Sequence, residues 1–187
     1  MNLTVLRVAL MSLWVGVAVA VVSCQNIDSE ATKTVYFFDL KTYFETEIKR
    51  LESKNIKVNK KATLNGETND MANLSVDWAK EFAIFVDCDI NKPSWKDSYS
   101  TDSLVVGLET VTTYAAKGGD KKVKKIMIYK SNTSNRLNKI TIAGGTQNLL
   151  YSSETELIYV PDILVGVVGR QALFYGKSTT FETEIRF

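Results

Sequence analysis

Asp77 and Glu81 are the two residues whose types and spacing could support general acid–base chemistry. They lie beside Trp78, so a helix would place both carboxylates on one face, one turn apart. A carboxylate pair can divide the acid and base roles of a hydrolytic reaction. Charged helix faces are more often simply solvated, however, and no further catalytic group accompanies this pair. We therefore expect no catalytic residues in this chain.

Histidine is absent from the sequence. Its absence excludes any mechanism with an imidazole base, including Ser-His-Asp and Cys-His systems, and every histidine-ligated metal site. An enzyme of this composition would need carboxylates or a Ser/Lys pair. The formal net charge of +2 is also too balanced to indicate nucleic acid as a partner, because phosphate binding needs a concentrated basic surface.

Two short motifs are similar to ligand-binding loops, and each lacks a residue that its ligand requires. The stretch DCDIN at 87–91 alternates acidic and amide side chains as a calcium loop does, but Lys92 replaces the glycine of the sharp turn. The stretch GKS at 176–178 resembles the end of a phosphate-binding loop, but Gln171 stands where that loop needs its first glycine. We expect turns at both places, no metal and no cofactor.

The N-terminal residues have the pattern of a secretory signal peptide. Arg7 precedes an uncharged, almost wholly apolar run of 15 residues, Val8–Val22, which is shorter than the roughly 20 residues that span a bilayer. The run ends in VVSC at 21–24, which resembles the lipobox of bacterial lipoproteins. We expect residues 1–23 to be a lipoprotein signal peptide and Cys24 to begin the mature chain. The alternatives are a short membrane anchor and a buried core helix.

The resemblance to the lipobox implies that Cys24 carries a lipid. In that family the thiolate forms a thioether to a diacylglyceryl group, and several acyl chains anchor the protein stably to a membrane. Gln25, rather than an aspartate, follows the cysteine and implies the outer membrane, on its periplasmic or its surface face. Lipidation would leave Cys88, the other cysteine of the chain, without a disulfide partner. The alternative is an ordinary signal peptide with Cys24 left free, which in an oxidising compartment would allow a Cys24–Cys88 bridge.

Residues 24–34 are polar and are predicted to link the lipid to a single domain at residues 35–187. Apolar side chains recur at helical spacing in two stretches of that domain. The first stripe is Phe37, Leu40, Phe44, Ile48 and Leu51, and the second is Leu74, Trp78, Phe82, Phe85 and Val86. Both stripes predict amphipathic helices, the second beginning at Asn73 or Ser75 and ended by Pro93.

An alternating apolar pattern predicts β-strands elsewhere. One strand, or two around the turn Asn65-Gly66, follows the first helix. The alternation then continues in segments at 104–116, 121–130, 136–143, 147–151, 156–160, 164–175 and 179–187. The short turns between these segments allow only antiparallel neighbours, in a meander of six or seven strands. The predicted fold is α+β: two amphipathic helices packed on a curved antiparallel β-meander or inside an incomplete barrel.

Two groups of side chains are candidate binding residues. Aromatic residues of the helices could line a cavity for an apolar ligand against the sheet: Phe37, Phe44, Trp78, Phe82 and Phe85. Lysines around one turn could contact an anionic lipid surface: Lys117, Lys121, Lys122, Lys124 and Lys125. The alternatives are a packed core for the first group and, for the second, a solvated turn that keeps a strand edge from pairing with another chain.

Together with the lipobox, the stretches YFFDLKTYFETEIKRL, WAKEF and DINKP resemble a class of small Bacteroidota lipoproteins of unknown function. That resemblance implies no catalytic residues. The order of helix, strand, helix and meander is also similar to periplasmic lipoprotein carriers, whose helices plug an incomplete barrel that holds acyl chains. We expect a non-catalytic, membrane-tethered envelope lipoprotein that binds a protein or an envelope component. The alternatives are a carrier of an apolar or acyl ligand and a hydrolase that uses carboxylates.

The lipidation of Cys24 has a direct test. Intact-mass analysis of the membrane fraction should give a chain that begins at Cys24 and carries added acyl mass, because in this family the chain is cut after the thiol is acylated. A mature chain without acyl mass at Cys24 would refute the lipoprotein interpretation.

Overall fold

The structure is a computed structural model and describes residues 34–187, which form one compact unit, Thr34–Phe187. The predictions that concern residues 1–33, including the signal peptide and the lipid on Cys24, lie outside the described residues. The described chain contains the α-helices α1 (Leu40–Lys54) and α2 (Trp78–Val86) and a short 3-10 helix, Pro93–Trp95.

Nine strands form one antiparallel sheet. They are β1 Val58–Leu64, β2 Glu67–Leu74, β3 Tyr99–Val106, β4 Glu109–Ala116, β5 Val123–Ser131, β6 Leu137–Gln147, β7 Tyr151–Val160, β8 Leu164–Leu173 and β9 Ser178–Arg186. The strand order is β2-β1-β9-β8-β7-β6-β5-β4-β3. Because β2 and β3 each have a single neighbour, the sheet of the described residues is open. The predicted α+β class is confirmed, with two helices and an antiparallel sheet.

Helix α1 contains its predicted apolar stripe except Phe37, which precedes the helix, and it lies between two polar caps. The Asp39 carboxylate accepts the backbone N–H of Thr42 at 3.0 Å and caps the first turn. Asn55 adopts a left-handed conformation (φ 45°), and its N–H donates to the Glu52 carbonyl, which ends the helix. The stripe residues that are fully buried are Leu40, Phe44 and Leu51.

Helix α2 begins later than its apolar stripe predicts. Its N-cap is Asp77, whose carboxylate accepts the Lys80 N–H at 3.1 Å, so the prediction of Asn73 or Ser75 is wrong. Leu74, which has the right spacing for the stripe, is instead the last residue of β2. Pairing of β1 with β2 takes up the residues before position 75, and the helix can start only after this hairpin ends.

The C-terminal half contains seven strands, within the predicted six or seven, but several of the predicted boundaries are wrong. Segment 104–116 spans parts of β3 and β4, which meet at a turn where Gly107 has a positive φ of 61°. Segment 147–151 consists of the last residue of β6, the turn at 148–150 and the first residue of β7. Strand β7 continues to Val160, because residues 152–155, expected to be a turn, extend the ladders to β6 and β8. Gly144-Gly145, expected to be a turn, lies inside β6. The division of segment 104–116 adds one strand and the loss of segment 147–151 removes one, so the number of strands still agrees.

The hairpin of β1 and β2 joins the sheet through the last strand of the chain. Its turn is Asn65-Gly66, as predicted, with both residues at positive φ, which suits a tight two-residue turn. Strand β1 then pairs with β9, with Lys60 opposite Ile185 and Ala62 opposite Thr183. The first and last strands of the domain are therefore neighbours, although sequence periodicity does not reveal this pairing.

One face of the sheet, the inner face, packs against both helices. In the middle strands it carries a buried row of side chains that pair in register: Ile128, Ile140, Tyr159, Val165 and Ile185. A second buried row is Ile126, Ile142 and Leu157. Residues at the alternate positions point to the opposite, outer face, which neither helix covers.

Tyr159 lies at the centre of the contact between the helices and the sheet. Its ring packs against three phenylalanine rings, with centroid distances of 5.3, 5.3 and 6.5 Å to Phe44, Phe82 and Phe85. Its hydroxyl donates to Glu47 Oε2 at 2.6 Å, and Arg50 Nη2 donates to the same oxygen at 2.7 Å. Burial, followed by the hydrogen bond to Glu47, holds the pKa of the Tyr159 hydroxyl well above its usual range.

Asn91 is buried and holds the segment that leads into α1. Its Oδ1 accepts the backbone N–H groups of Tyr36 and Phe37 at 3.0 and 2.9 Å. Its Nδ2 donates to the carbonyl oxygens of Phe37 and Phe38 at 3.3 and 3.2 Å. One side chain therefore satisfies backbone groups of three consecutive residues that lie against the core. This role accounts for the asparagine at the end of the DCDIN stretch, whose side chain holds the backbone segment before α1 in place.

We predict that Asn91→Ala destabilises the domain by about 3 kcal/mol, because it leaves several partly buried backbone groups without partners. The matched control is Asn138→Ala, which removes one side-chain hydrogen bond to Glu109 and should cost about 1 kcal/mol or less. Urea unfolding of both variants measures the difference. A loss below about 1 kcal/mol for Asn91→Ala would show that water replaces the hydrogen bonds of the Asn91 side chain.

Candidate functional site

Strands β6 to β9 continue beyond the part of the inner face that the helices cover. Helix α2 has nine residues and is about 13 Å long, whereas a ten-residue strand spans about 33 Å. Beyond the pair of Ile142 and Leu157, most inner-face side chains of these strands are half-buried or exposed. We call this uncovered area the platform, and its residues are Tyr151, Ser153, Thr155, Gln171, Leu173 and Phe181.

A cleft of about 240 Å³ lies where the platform meets α2. Ile84 of α2 and Cys88, just after the helix, form one wall, and Lys122 and Val123 at the start of β5 form another. The floor consists of residues from four strands: Ile142, Gly144, Gly145, Tyr151, Ser153, Thr155, Leu157, Gln171 and Phe181. The cleft is therefore largely apolar at its inner end and polar where it opens onto the platform.

Glycines give the floor of the cleft its shape. The Gly145 N–H donates to the Lys122 carbonyl at 2.8 Å, which brings the turn before β5 against β6. A Cβ at Gly144 would lie 3.0 Å from that carbonyl oxygen, and one at Gly145 would collide with the backbone oxygen of Ser153. A side chain at Gly145 would force β6 and β7 apart, and one at Gly144 would require the Lys122 carbonyl to shift by a few tenths of an ångström.

The ring of Phe181 covers Gly169 in the same part of the sheet. The two residues are direct cross-strand partners on β9 and β8, and a Cβ at Gly169 would collide with that ring. The glycine therefore leaves room over β8 for the far end of the Phe181 ring, which also lines the cleft.

The five aromatic residues predicted to line a cavity lie in the packed core. Phe44 contacts the rings of Phe82 and Phe85 at 5.0 and 4.9 Å, and Trp78 stacks on Phe82 at 5.6 Å. Phe37 contacts a separate pair of rings, those of Tyr99 and Tyr114. The structure thus brings four of the five together, and the cleft is lined by a different set of residues.

Asp77 and Glu81 each interact with a separate lysine. The Asp77 carboxylate caps α2 and forms an ion pair with Lys80 at 2.8 Å, and hydrogen bonding by Lys80 lowers the pKa of Asp77 below its usual value. Glu81 pairs with Lys60 of β1 at 2.5 Å. Two carboxylates that share one proton would need to face each other, whereas these two are held by different cations.

The predicted lysine group is divided by the structure. Lys117, Lys121, Lys122 and Lys124 lie in or next to the turn between β4 and β5. Lys121 forms an ion pair with Asp120, and Lys124 donates to the Gly119 carbonyl at 2.6 Å. Lys125 lies on the outer face of β5, beside Met127 and Thr141. Of the group, Lys122 lines the cleft.

Sequence reasoning missed the cleft residues because it ended the strands too early. Taking Gly144-Gly145 and residues 152–155 as turns removed Ser153 and Thr155 from the sheet. The lengths that leave part of the face open appear only in the structure, where α2 has nine residues and β7 and β8 have ten each.

Residues 34–187 contain no cluster of three or more histidine, cysteine or acidic side chains placed to hold a metal ion. Neither α1 nor α2 combines the length and the apolar character that a bilayer-spanning helix requires.

Cys88 offers a chemical probe of the cleft. Burial, partly offset by Lys122, raises the pKa of its thiol to about 11. At pH 8 its thiolate fraction is therefore about a hundredfold lower than that of an unperturbed thiol. The neutral thiol stabilises the fold below about pH 9, and this contribution is lost as the pH rises towards 11.

We predict that iodoacetamide alkylates Cys88 at pH 8 at least about a hundredfold more slowly in the folded chain than in urea, because both the thiolate fraction and access are reduced. The folded-state rate should rise about tenfold per pH unit up to about pH 11. Peptide mass analysis of the Cys88 fragment gives the rates. Folded and unfolded alkylation rates within about threefold of each other would contradict the burial of the Cys88 thiol.

The cleft and the platform are the features of the described residues on which a functional proposal can rest. No family model matches the chain, and neither a curated protein nor a solved structure matches it.

Proposed function

We propose that this chain is a non-catalytic envelope lipoprotein, anchored to the outer membrane through a lipid on Cys24, that binds a protein partner in the cleft beside α2. The observation that carries the proposal is the open cleft on an uncovered part of the sheet. Ile84, Cys88 and the strands β6 to β9 form its walls and floor. A surface of this kind offers an apolar recess with polar groups around its mouth, which is the arrangement of many binding sites.

The size of the cleft favours part of a macromolecule over a whole small ligand. Sites that bury a small molecule usually have volumes of roughly 300–1,000 Å³. The cleft measures about 240 Å³, and it is open towards the platform. It can therefore accommodate one or two apolar side chains of a partner whose remaining surface lies on the platform, as interface anchors do in protein complexes.

The polar residues of the platform are suited to hold a polypeptide. Ser153, Thr155 and Gln171 supply hydroxyl and amide groups that can both donate and accept hydrogen bonds. Lys122 adds a positive charge at the edge of the cleft and favours a partner with an acidic residue next to its apolar anchor.

An apolar ligand carrier is the second candidate function. The inner end of the cleft, formed by Ile142, Leu157 and Phe181, is apolar and would suit the end of an acyl chain. A carrier must shield most of its cargo from water, however, and the volume of the cleft falls short of such a site. We therefore rank this function below protein binding.

The test is site-specific photocrosslinking in the full chain, in the cells that make it. A benzophenone amino acid at Gln171, an exposed platform position beside the cleft, should give a discrete protein adduct that mass spectrometry identifies. The matched control position is Arg170, which is also exposed and is adjacent in sequence but lies on the outer face.

A discrete protein adduct at Gln171 and none at Arg170 would support protein binding. Ile84→Trp, which fills the cleft, should then reduce the adduct at least about tenfold, as loss of an anchor contact does. Adducts of equal yield at both positions would contradict a partner specific to the cleft. An adduct of lipid mass at Gln171 would favour the carrier function.

A further inference from the structure

Two neighbouring hairpin turns present large apolar side chains to solvent at the far end of the platform. One turn joins β6 to β7 and the other joins β8 to β9. Leu149 and Leu150 are 89% and 70% exposed, and Phe174 and Tyr175 are 70% and 91% exposed. We call these four residues the apolar tips. Exposure of this kind at adjoining turns marks an interaction surface.

The apolar tips are held in a defined arrangement. The Phe174 N–H donates to the Leu150 carbonyl at 3.0 Å and joins the two turns. Asn148 Oδ1 accepts the N–H groups of Leu150 and Tyr151, both at 2.9 Å, and so shapes the first turn. The rings of Phe174 and Tyr175 pack edge to face at 4.7 Å. The side chains are thus displayed on a hydrogen-bonded framework.

Exposed lysines accompany the apolar tips. Lys177 lies in the second turn itself, and Lys117 lies in the turn between β4 and β5. That turn is attached to β6 at Gly145, two residues before the end of the strand and four before Leu149, which is a span of at most about 14 Å. Asp120 of the same turn is paired with Lys121, which reduces its effect on the local positive charge.

We propose that the apolar tips insert into the surface of an anionic phospholipid bilayer while the lysines contact its head groups. Protruding side chains without a surrounding groove suit a deformable lipid surface better than a rigid protein pocket. Tyrosine and phenylalanine rings partition to the boundary between acyl chains and head groups, where the tyrosine hydroxyl stays hydrated. Lysines at the head-group level add attraction to anionic lipid.

The location of the first described residues agrees with this orientation. This point alone rests on the proposed function, because it assumes a lipid on Cys24. Lys96 lies over the ring of Tyr36 at 5.6 Å, and Lys121 lies over the ring of Trp95 at 5.8 Å, so the start of the described chain is near the basic turn. Residues 25–34 can span at most about 36 Å when fully extended. A lipid on Cys24 would therefore keep the basic turn within reach of the membrane.

The experiment uses the full chain reconstituted into vesicles of phosphatidylcholine, with or without phosphatidylglycerol. An environment-sensitive fluorescent amino acid replaces Leu149, and lipids spin-labelled on the acyl chain act as quenchers. The matched control position is Leu108, which is 75% exposed at the turn between β3 and β4. We expect quenching at position 149 to exceed that at position 108 at least about fivefold in vesicles with phosphatidylglycerol.

Charge reversal tests the role of the lysines. Lys177→Glu in the labelled chain should reduce the quenching at position 149 at least about fivefold, because one basic residue near an anionic surface changes binding by about that factor. The fluorophore and the lysine both lie in exposed turns, so neither change should affect folding, which circular dichroism would verify.

Three outcomes would overturn the inference. These are equal quenching at positions 149 and 108, quenching that does not depend on phosphatidylglycerol, and a spectral change that depends on protein concentration without lipid quenching. The last would identify a second copy of the chain as the occupant. A protein adduct at Gln171 combined with no quenching at position 149 would leave the proposed function intact and reject the membrane contact alone.

Discussion

The packing of Tyr159 against the two helices is the contact on which the rest of the structure depends. Strand β7 is the central strand of the nine, and its tyrosine ring contacts α1 through Phe44 and α2 through Phe82 and Phe85. Its hydroxyl is bound to Glu47, so the contact is both apolar and hydrogen-bonded. Because the short α2 packs on this ring, it leaves one end of β6 to β9 uncovered. The cleft lies at the boundary between the covered and the uncovered part of the sheet.

Features that depend on local spacing were predictable from the sequence. The 3.6-residue stripe of α1, which includes Phe44 and Leu51, gives the helix and its buried face, and Asn65-Gly66 gives the first hairpin. The antiparallel class of the sheet follows from turns too short for a parallel return. In each case the signal and the structure involve the same few neighbouring residues.

Features that depend on distant residues were not predictable in the same way. Glycines are common in turns, but Gly145 is required here for the close approach of Ser153, and Gly144 lies tightly against the Lys122 carbonyl. These contacts form only in the folded sheet. The start of α2 was misplaced because pairing with β1 competes for Leu74. The cleft exists because the strands extend farther than α2 does, and no sequence motif therefore marks it.

The pairing of β1 with β9 also determines the order in which the sheet can assemble. Strand β9 comes after the other eight strands in sequence, yet it lies third from one edge of the sheet, between β1 and β8. The hairpin of β1 and β2 can therefore find its place only after the last strand has emerged. Contacts of such long sequence separation slow folding. Until β9 arrives, β1 and β8 both have open edges, and during that interval the chain is most exposed to mispairing and aggregation.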